Sequence, residues 1–137
     1  MSKKKNSFYI ATNIGNAKIA KQLGDALQAM GWTWTYDWTI HAPADQTRAK
    51  EFATAEKVGV TSASVLVALL PGGRGTHIEI GMAVALDKPV LLVAQSEKDW
   101  RKPYPCLFYS LATELVVNPA PCAKWLDSKM KEILKRK

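Results

Sequence analysis

The sequence is poor in cysteine and has no long apolar run. Its only cysteines, Cys106 and Cys122, do not form the C-x-x-C spacing of a metal or redox site. We therefore expect reduced thiols in a cytoplasmic protein. The longest apolar runs, Ser64–Leu70 and Pro89–Ala94, are far shorter than the roughly 20 residues of a membrane-spanning helix. No apolar signal-peptide core follows the basic start, so no membrane association is expected.

Positive charge is concentrated at the two ends of the chain. The net charge is +7, but without the lysines of residues 1–6 and the charged residues of 129–137 the chain has 11 basic and 11 acidic residues. Proteins that bind nucleic acids usually carry their positive charge on one face of a folded domain. Because the charge here lies at the ends of the chain, we expect no nucleic acid polymer as partner. Residues 1–6 are predicted to be a disordered basic tail, and residues 7–137 a single domain.

The hydrophobic pattern alternates between strand-like and helix-like segments. Strands are predicted at Ser7–Thr12, Trp32–Tyr36, Ser64–Leu70, Pro89–Ala94 and Glu114–Val117. Helices are predicted before Gly31, from about Asp45 to Val58, at Thr76–Leu86 and after Pro121, with Gln95–Tyr109 irregular. Their expected inner faces are Ile19, Ala20, Leu23, Leu27 and Met30, then Phe52, Ala55 and Val58, and finally Trp125, Leu126, Met130 and Ile133.

This order of elements predicts an α/β fold. The middle strands are apolar without alternation, which is typical of parallel strands covered on both faces. Five strands favour a flavodoxin-like or Rossmann-like three-layer sandwich with a mostly parallel sheet in the order 2-1-3-4-5. Ligands bind such sheets where the order reverses, beyond the carboxyl ends of strands 1 and 3. The loops Thr12–Asn16 and Pro71–Thr76 are therefore predicted to meet at a binding pocket.

The turn between the third strand and the following helix is rich in glycine. Gly72, Gly73 and Gly75 surround Arg74, and glycines let a backbone approach a ligand closely. Their amides and the start of a helix favour an anion. The turn matches neither the P-loop nor the dinucleotide fingerprint, so neither a nucleoside triphosphate nor a dinucleotide is indicated.

Glu79 follows this turn and has two interpretations. Thr76 and Glu79 have the spacing of a capping box, in which Glu79 only caps the Thr76 amide. Alternatively, Glu79 is a nucleophile, because it is the only charge between Arg74 and Asp87 in a helix that we expect to be largely buried. It also follows the strand that ends at the predicted pocket. The positive end of the helix is expected to keep this carboxylate ionised.

The segment Ser62–Val93, with GGRGTHIEIGMAVALDKPVLLV at its centre, resembles the nucleoside 2-deoxyribosyltransferase-like family. That family includes nucleoside 5′-monophosphate N-glycosidases and shares a G-T-x-x-E-[IL]-G motif. Phe8–Thr12 resembles its first strand, and Tyr36–Thr39 is similar to the end of its second. The resemblance covers about residues 7–95 and continues in outline to the end.

The resemblance implies cleavage of an N-glycosidic bond by double displacement. Glu79 would attack the anomeric carbon and form a glycosyl ester, which water or an acceptor base would then resolve. Tyr9 would orient Glu79, and Glu56 matches the family's acid for the departing base; a solvated helix position is the alternative for Glu56. The resemblance also implies no metal or cofactor, and a homodimer or higher homo-oligomer. Trp100–Tyr109 is expected either to cover the pocket or to lie at a dimer interface.

Two positions depart from the family pattern. Many members have an aspartate at Ser64, and the transferases have another at Gly73. The second aspartate handles the base and the 5′-hydroxyl region of a free nucleoside, so its absence weakens the case for a nucleoside transferase. Arg74 beside backbone amides suits a 5′-phosphate, which favours a nucleotide over a nucleoside as the substrate.

Other residues near the predicted pocket have both a binding and a structural interpretation. Thr12 and Asn13 are expected to bond the sugar or phosphate, or to cap the next helix. Asp37 and Trp38 are expected to flank the base, although Trp38 also suits the core. The substrate set is completed by the glycine-rich turn, with Gly72, Gly73, Arg74, Gly75, Thr76 and His77. His77 and His41 lack metal-ligand spacing and are interpreted as surface or capping residues.

Two further classes of function stay open. A domain of this fold that lacks the usual aspartate could bind a nucleotide without cleaving it, as a non-catalytic sensor module. If Glu79 is only a helix cap, the chain is instead a scaffold or interaction protein. Glu79-dependent release of a base distinguishes the enzyme from both.

Overall fold

The computed structural model describes residues 6–101 and 104–136, which form a five-stranded sheet between two layers of helices. The strands are β1 (Ser7–Ala11), β2 (Thr33–Trp34), β3 (Val65–Leu70), β4 (Val90–Ala94) and β5 (Glu114–Val117). The α-helices are α1 (Ala17–Ala29), α2 (Ala49–Ser62), α3 (Arg74–Ala85) and α4 (Ala123–Lys135). Residues 1–5 of the predicted basic tail lie outside the described residues, while the Asn6 carbonyl accepts a hydrogen bond from the Thr33 amide.

The sheet has the order β2-β1-β3-β4-β5, and every neighbouring pair of strands is parallel. The predicted fold class and strand order are therefore confirmed. α1 packs against α4, and α2 packs against α3, so that each pair of helices forms one outer layer. The order reverses between β1 and β3, and their carboxyl ends point to the same edge of the sheet.

The three central strands form the core. Every residue of β1, β3 and β4 is buried, because helices cover both faces of the sheet. Burial on both faces explains why these strands are almost uniformly apolar. β2 is shorter than predicted, with two residues in place of Trp32–Tyr36. As an edge strand, it pairs only with β1, and the chain turns away at Asp37 into a 3-10 helix.

The inner faces of the helices are confirmed in part. Ala20, Leu23 and Leu27 of α1 are buried, as are Leu126, Met130 and Ile133 of α4. Three predicted core residues are instead exposed: Ile19, Met30 and Val58. Ile19 is the third residue of α1, and Met30 follows the helix as its C-cap.

The outer face of α3 differs from the prediction of a largely buried helix. Ile80 and Ala83 are buried, but Ile78 and Leu86 are exposed.

Gly31 has a φ of 102° after α1, as expected of a residue that ends a helix. No helix in residues 6–101 and 104–136 is long and apolar enough to cross a membrane.

Candidate active site

The loops after β1 and β3 meet at the carboxyl edge of the sheet, as the switch-point argument predicted. Asn13 Nδ2 donates to the Pro71 carbonyl at 2.8 Å. Thr12 Oγ1 donates to the Leu69 carbonyl at 2.9 Å. These two hydrogen bonds hold the glycine-rich turn against the start of the β1 loop and fix one wall of the site.

The glycine-rich turn leads directly into α3. The helix begins at Arg74, two residues earlier than predicted, with Gly73 as its N-cap. The Gly73 amide donates to Thr76 Oγ1 at 3.0 Å. A Cβ atom at Gly72 would lie 2.5 Å from Thr76 Cγ2, so a side chain at position 72 would displace the threonine. The Thr76 side chain thus packs against Gly72 and Gly73 and holds the turn at the start of α3.

Glu79 does not cap this helix. It is the sixth residue of α3, and its Oε2 accepts a hydrogen bond of 2.6 Å from the hydroxyl of Tyr9. Tyr9 lies in β1, 70 residues earlier in the chain. The capping-box interpretation of Thr76 and Glu79 is therefore wrong, because the carboxylate points across the fold and not back along its own backbone.

Burial controls the protonation of this pair. Only 8% of Glu79 is exposed, and desolvation raises its pKa from 4.5 to about 8. The hydrogen bond from Tyr9 opposes the rise in the pKa, and the neighbouring Glu56 adds to it. Burial and the proximity of Glu79 also raise the pKa of Tyr9, so its hydroxyl remains a donor.

The expectation that the helix start keeps Glu79 ionised is therefore wrong in direction. The field of a helix dipole falls off within the first turn, and the sixth residue of α3 lies beyond it. Burial removes most of the water that would hydrate the ionised carboxylate. This loss of hydration outweighs what remains of the dipole and favours the protonated form. The raised pKa means that this carboxylic acid ionises near neutral pH.

Glu56 lies beside this pair. It projects from α2, is half-buried, and lies near enough to raise the pKa values of both Glu79 and Tyr9. Glu56 is only partly withdrawn from solvent and does not line the cavity described below, so its role as the acid stays a prediction. The structure thus brings three sequence-predicted residues together, from β1, α2 and α3.

A cavity of about 360 Å³ opens onto Glu79. Its size suits a small organic ligand. Glu79 and Thr76 lie in its wall, and Arg74 is exposed at its edge. The complete lining is Thr12, Asn13, Ile14, Trp38, Gly73, Arg74, Gly75, Thr76 and Glu79. The cavity therefore combines a carboxyl group, a cation and the backbone of a helix start.

Trp38 both lines the cavity and belongs to the core. It is 7% exposed, and its Nε1 donates to the Ile10 carbonyl at 2.7 Å. Asp37 does not line the cavity. Its carboxylate accepts from the Thr39 amide at 2.9 Å and from Lys21 Nζ at 2.9 Å, so it serves the local turn and a surface ion pair.

The remaining predicted binding residues have structural partners. Asn13 caps the short helix after β1, accepting from the Asn16 amide at 3.1 Å. Gly72 and His77 do not line the cavity. His77 Nδ1 lies 2.7 Å from the Gly73 carbonyl, and its Nε2 lies 2.8 Å from the Tyr109 hydroxyl. Since a carbonyl only accepts, Nδ1 carries a proton and donates to Gly73.

A second cavity, of about 270 Å³, lies among Asn16, Ile19, Leu70, Val93 and Asn118. The residues that line it are uncharged, so it offers no group for acid–base or nucleophilic chemistry. No cluster of three or more potential metal ligands occurs in the part of the chain that the structure describes. Among these two cavities, only the one at Glu79 carries a carboxyl group in its wall.

Sequence reasoning assigned no role to Gly59 or Tyr36. Gly59 lies between Tyr36 and Tyr9, since a Cβ atom added to it would contact both. His41, interpreted above as a surface or capping residue, is half-buried, and its Nε2 lies 2.7 Å from the Tyr36 hydroxyl. The His41 ring stacks on Phe52, with ring centres 3.9 Å apart. The signal that could have found Gly59 is a glycine inside a helical pattern, which often marks close packing.

Solved structures with similar folds include an N-glycosidase. The structure of the Clostridium botulinum CMP N-glycosidase BcmB matches with a TM-score of 0.61 and 19% identity, covering 92% of this chain and 99% of that one. A conserved protein from Enterococcus faecalis V583 matches with a TM-score of 0.69 and 18% identity, covering 98% and 100%. The solution structure of BlsM matches with a TM-score of 0.66 and 20% identity, covering 96% and 93%.

No curated protein matches the sequence significantly. The family model for nucleoside 2-deoxyribosyltransferases, however, matches residues 8–135. This match extends beyond the segment that carries the sequence resemblance and includes β5 and all of α4. The chain therefore belongs to the nucleoside 2-deoxyribosyltransferase family.

Proposed function

We propose that this protein cleaves the N-glycosidic bond of a (deoxy)nucleoside or its 5′-monophosphate through a covalent intermediate on Glu79. The observation that carries the proposal is the buried hydrogen bond of 2.6 Å between Tyr9 and Glu79, beside a cavity of about 360 Å³. A buried carboxylate with a single fixed donor is held in one orientation, as a nucleophile requires. Family membership and the N-glycosidase among the similar structures agree with it.

In the first step, a Glu79 oxygen attacks the anomeric carbon through an oxocarbenium-like transition state. The carbon–nitrogen bond breaks, its electron pair leaves with the base, and Glu56 supplies a proton to the base. Glu56 then accepts a proton from water, whose oxygen attacks the same carbon and releases Glu79. An acceptor base that attacks in place of water gives transfer with retained configuration.

The first experiment is an assay for released base with a panel of nucleosides and 5′-monophosphates. We expect release by the wild type and its loss in Glu79→Gln, since the amide cannot form a stable glycosyl ester. Glu51→Gln is the matched control, because Glu51 is an exposed carboxylate on α2 that pairs with Arg48. Quenched reactions analysed by mass spectrometry should show a sugar attached to the peptide that contains Glu79.

This assay also tests the non-catalytic alternative. The missing aspartates at Ser64 and Gly73 are the specific feature that favours a nucleotide-binding sensor module. Binding of a monophosphate without any base release, in the presence and absence of an acceptor base, would support that alternative and contradict the enzymatic proposal. Base exchange against simple hydrolysis separates transferase from glycosidase activity.

Arg74 supports a 5′-monophosphate as the substrate. It is exposed at the cavity, where its side chain and the first amides of α3 can bind an anion. Arg74→Ala should raise KM for a monophosphate by about tenfold or more, since a hydrogen bond to a charged group contributes roughly 1.5–3 kcal/mol. Arg101→Ala, which removes an exposed arginine paired with Glu97, is the control. An equal loss for the nucleoside would contradict the assignment.

We also propose a homodimer that buries an apolar patch beside the site. The patch consists of Ile78, Leu107, Phe108 and Leu111, which are 59%, 77%, 62% and 57% exposed. The hydrogen bond between His77 and Tyr109 connects its two parts. Phe108→Asp should give a monomer in sedimentation experiments, whereas Ile40→Asp, at an exposed residue outside the patch, should not. A monomeric wild type would refute this assembly.

The location proposed for the protein is the cytoplasm. Cys106 and Cys122 are both free thiols, which suits a reducing compartment. Cell fractionation of the native protein tests this assignment directly.

A further inference from the structure

Gly59 of α2 lies against two tyrosines of the site. A Cβ atom at this position would lie 2.8 Å from Tyr36 Cβ and 3.0 Å from both Cδ2 and Cε2 of Tyr9. These distances are shorter than nonbonded carbon atoms tolerate. Only glycine therefore lets α2 approach the sheet at this point without displacing a neighbour.

The surroundings restrict how such a contact could be relieved. Thr35 Oγ1 donates to the Gly59 carbonyl at 2.6 Å, which ties α2 to the residue after β2. Tyr36 Cβ is fixed by the backbone. The Tyr9 ring is a side-chain group, but it is fully buried and its hydroxyl ends on Glu79. A shift of the ring by a few tenths of an ångström therefore moves the hydroxyl relative to the carboxylate.

We propose that Gly59 is a positioning residue that holds Tyr9 in hydrogen-bonding register with Glu79. This inference rests on the proposed function, because it assigns Gly59 a role in orienting the proposed nucleophile. Gly59 does not line the cavity, and of the two tyrosines that it contacts, Tyr9 is the one hydrogen-bonded to Glu79. Glycine has low helix propensity, and its presence within α2 is explained by the space that the tyrosine ring needs.

The test is a double-mutant cycle of Gly59→Ala and Tyr9→Phe. Gly59→Ala should lower kcat about tenfold with little change in KM, since a misplacement of about 1 Å in a catalytic array can cost roughly 100-fold. In the Tyr9→Phe background, which has no hydroxyl to misplace, the same substitution should cost less than about twofold. Independent, multiplicative effects of the two substitutions would overturn the proposal.

Gly24→Ala is the matched control. Gly24 is also a buried helical glycine, and its added Cβ would lie 2.3 Å from the ring of Trp34, an even closer contact. It lies in α1, in the other helical layer from α2 and α3. We expect Gly24→Ala to lower the melting temperature while kcat per folded molecule stays unchanged.

A titration that does not depend on turnover separates this proposal from the proposed function. Carbon-13 NMR of the Glu79 carboxyl, assigned with Glu79→Gln, should show that Gly59→Ala raises the pKa of Glu79, because the Tyr9 hydrogen bond lowers it. An unchanged titration would refute the role of Gly59 even if the enzyme is active. Absence of base release by the wild type would refute the activity and leave this result intact.

If Gly59→Ala does not fold, a second variant keeps the test decisive. Adding Tyr36→Gly removes the contact of 2.8 Å and leaves only the contacts with the Tyr9 ring. The Gly59→Ala/Tyr36→Gly variant should fold and still have a lower kcat than Tyr36→Gly alone. Equal kcat values for these two proteins would overturn the proposal.

Discussion

The raised pKa of Glu79 predicts that this residue makes the fold less stable as the pH rises. Its pKa is 4.5 without burial and about 8 in the folded protein. The folded state therefore binds more protons than the unfolded state between these two values, and stability falls as the pH increases through this window. Below the window the carboxyl group is protonated in both states, and above it the cost is constant.

The size of the effect follows from the shift of the pKa. One pKa unit is worth about 1.4 kcal/mol, so Glu79 should cost the wild type about 4 kcal/mol of unfolding free energy between about pH 5 and about pH 9. Glu79→Gln keeps the shape and can still accept the Tyr9 hydrogen bond, but it does not ionise. The difference in stability between the two proteins should therefore grow in favour of the variant as the pH rises.

Urea denaturation at several pH values measures this difference. Titrating groups that do not interact with Glu79 occur in both proteins and cancel when the two curves are subtracted, whereas Glu56 and Tyr9 interact with Glu79 and form part of the measured difference. The Glu51→Gln variant should run parallel to the wild type apart from a small offset, because Glu51 is an exposed surface carboxylate. A wild-type-to-Glu79→Gln difference that does not change with pH would refute the assignment of a buried, protonated Glu79.

Three other predictions concern the same site. Because the nucleophile must be ionised, kcat/KM of the wild type should rise with pH to a plateau above about 8; a profile already flat at acidic pH would contradict this. Tyr9→Phe should move that rise to higher pH, since the Tyr9 hydrogen bond lowers the pKa of Glu79 and its removal therefore raises that pKa. An unchanged midpoint in the rate profile would contradict this prediction. Asn13→Ala should lower the free energy of unfolding by about 1 kcal/mol or more, because it removes the helix cap and the bond to Pro71. Thermal denaturation measures this loss, with Asn118→Ala as the comparison, which removes an exposed turn bond to Ala120. Equal losses in the two variants would contradict the special role of Asn13.

The order of the strands could be predicted because burial on both faces leaves an unambiguous pattern. Val65–Leu70 and Val90–Ala94 have no polar residue, and only central parallel strands of a covered sheet require this. β2 was predicted too long since Trp, Thr and Tyr favour strands. The sequence does not reveal that the Asp37 carboxylate turns the chain by binding the Thr39 amide.

α2 shows why the inner face of a helix could not be predicted where it meets the site. Its buried residues are Phe52, Gly59 and Val60, and Glu56 is half-buried near Glu79. The apolar spacing pointed to Val58, but the face that packs inward carries Glu56 and Gly59. Under the proposed function this conflict is expected, because local rules often fail at functional sites.

The partners of individual polar side chains also depended on tertiary geometry. The sequence places Asp37 and Trp38 side by side, but the structure directs only Trp38 to the cavity. His77 is beside the glycine-rich turn in sequence, yet its two ring nitrogens bind Gly73 and Tyr109. The bonds from Trp38 to Ile10 and from His77 to Tyr109 join residues 28 and 32 positions apart, which local spacing does not encode.

The raised pKa of Glu79 is compatible with a nucleophilic role. A carboxylate that is costly to ionise in this cavity is poorly solvated, and a poorly solvated anion gains more from a developing positive charge. In the proposed mechanism, an oxocarbenium-like transition state would supply that charge at the anomeric carbon. The same burial that destabilises the ionised carboxylate would then favour the transition state over the ground state. Tyr9 limits the cost, because its hydrogen bond lowers the pKa of Glu79 enough that a fraction of the enzyme is ionised at neutral pH.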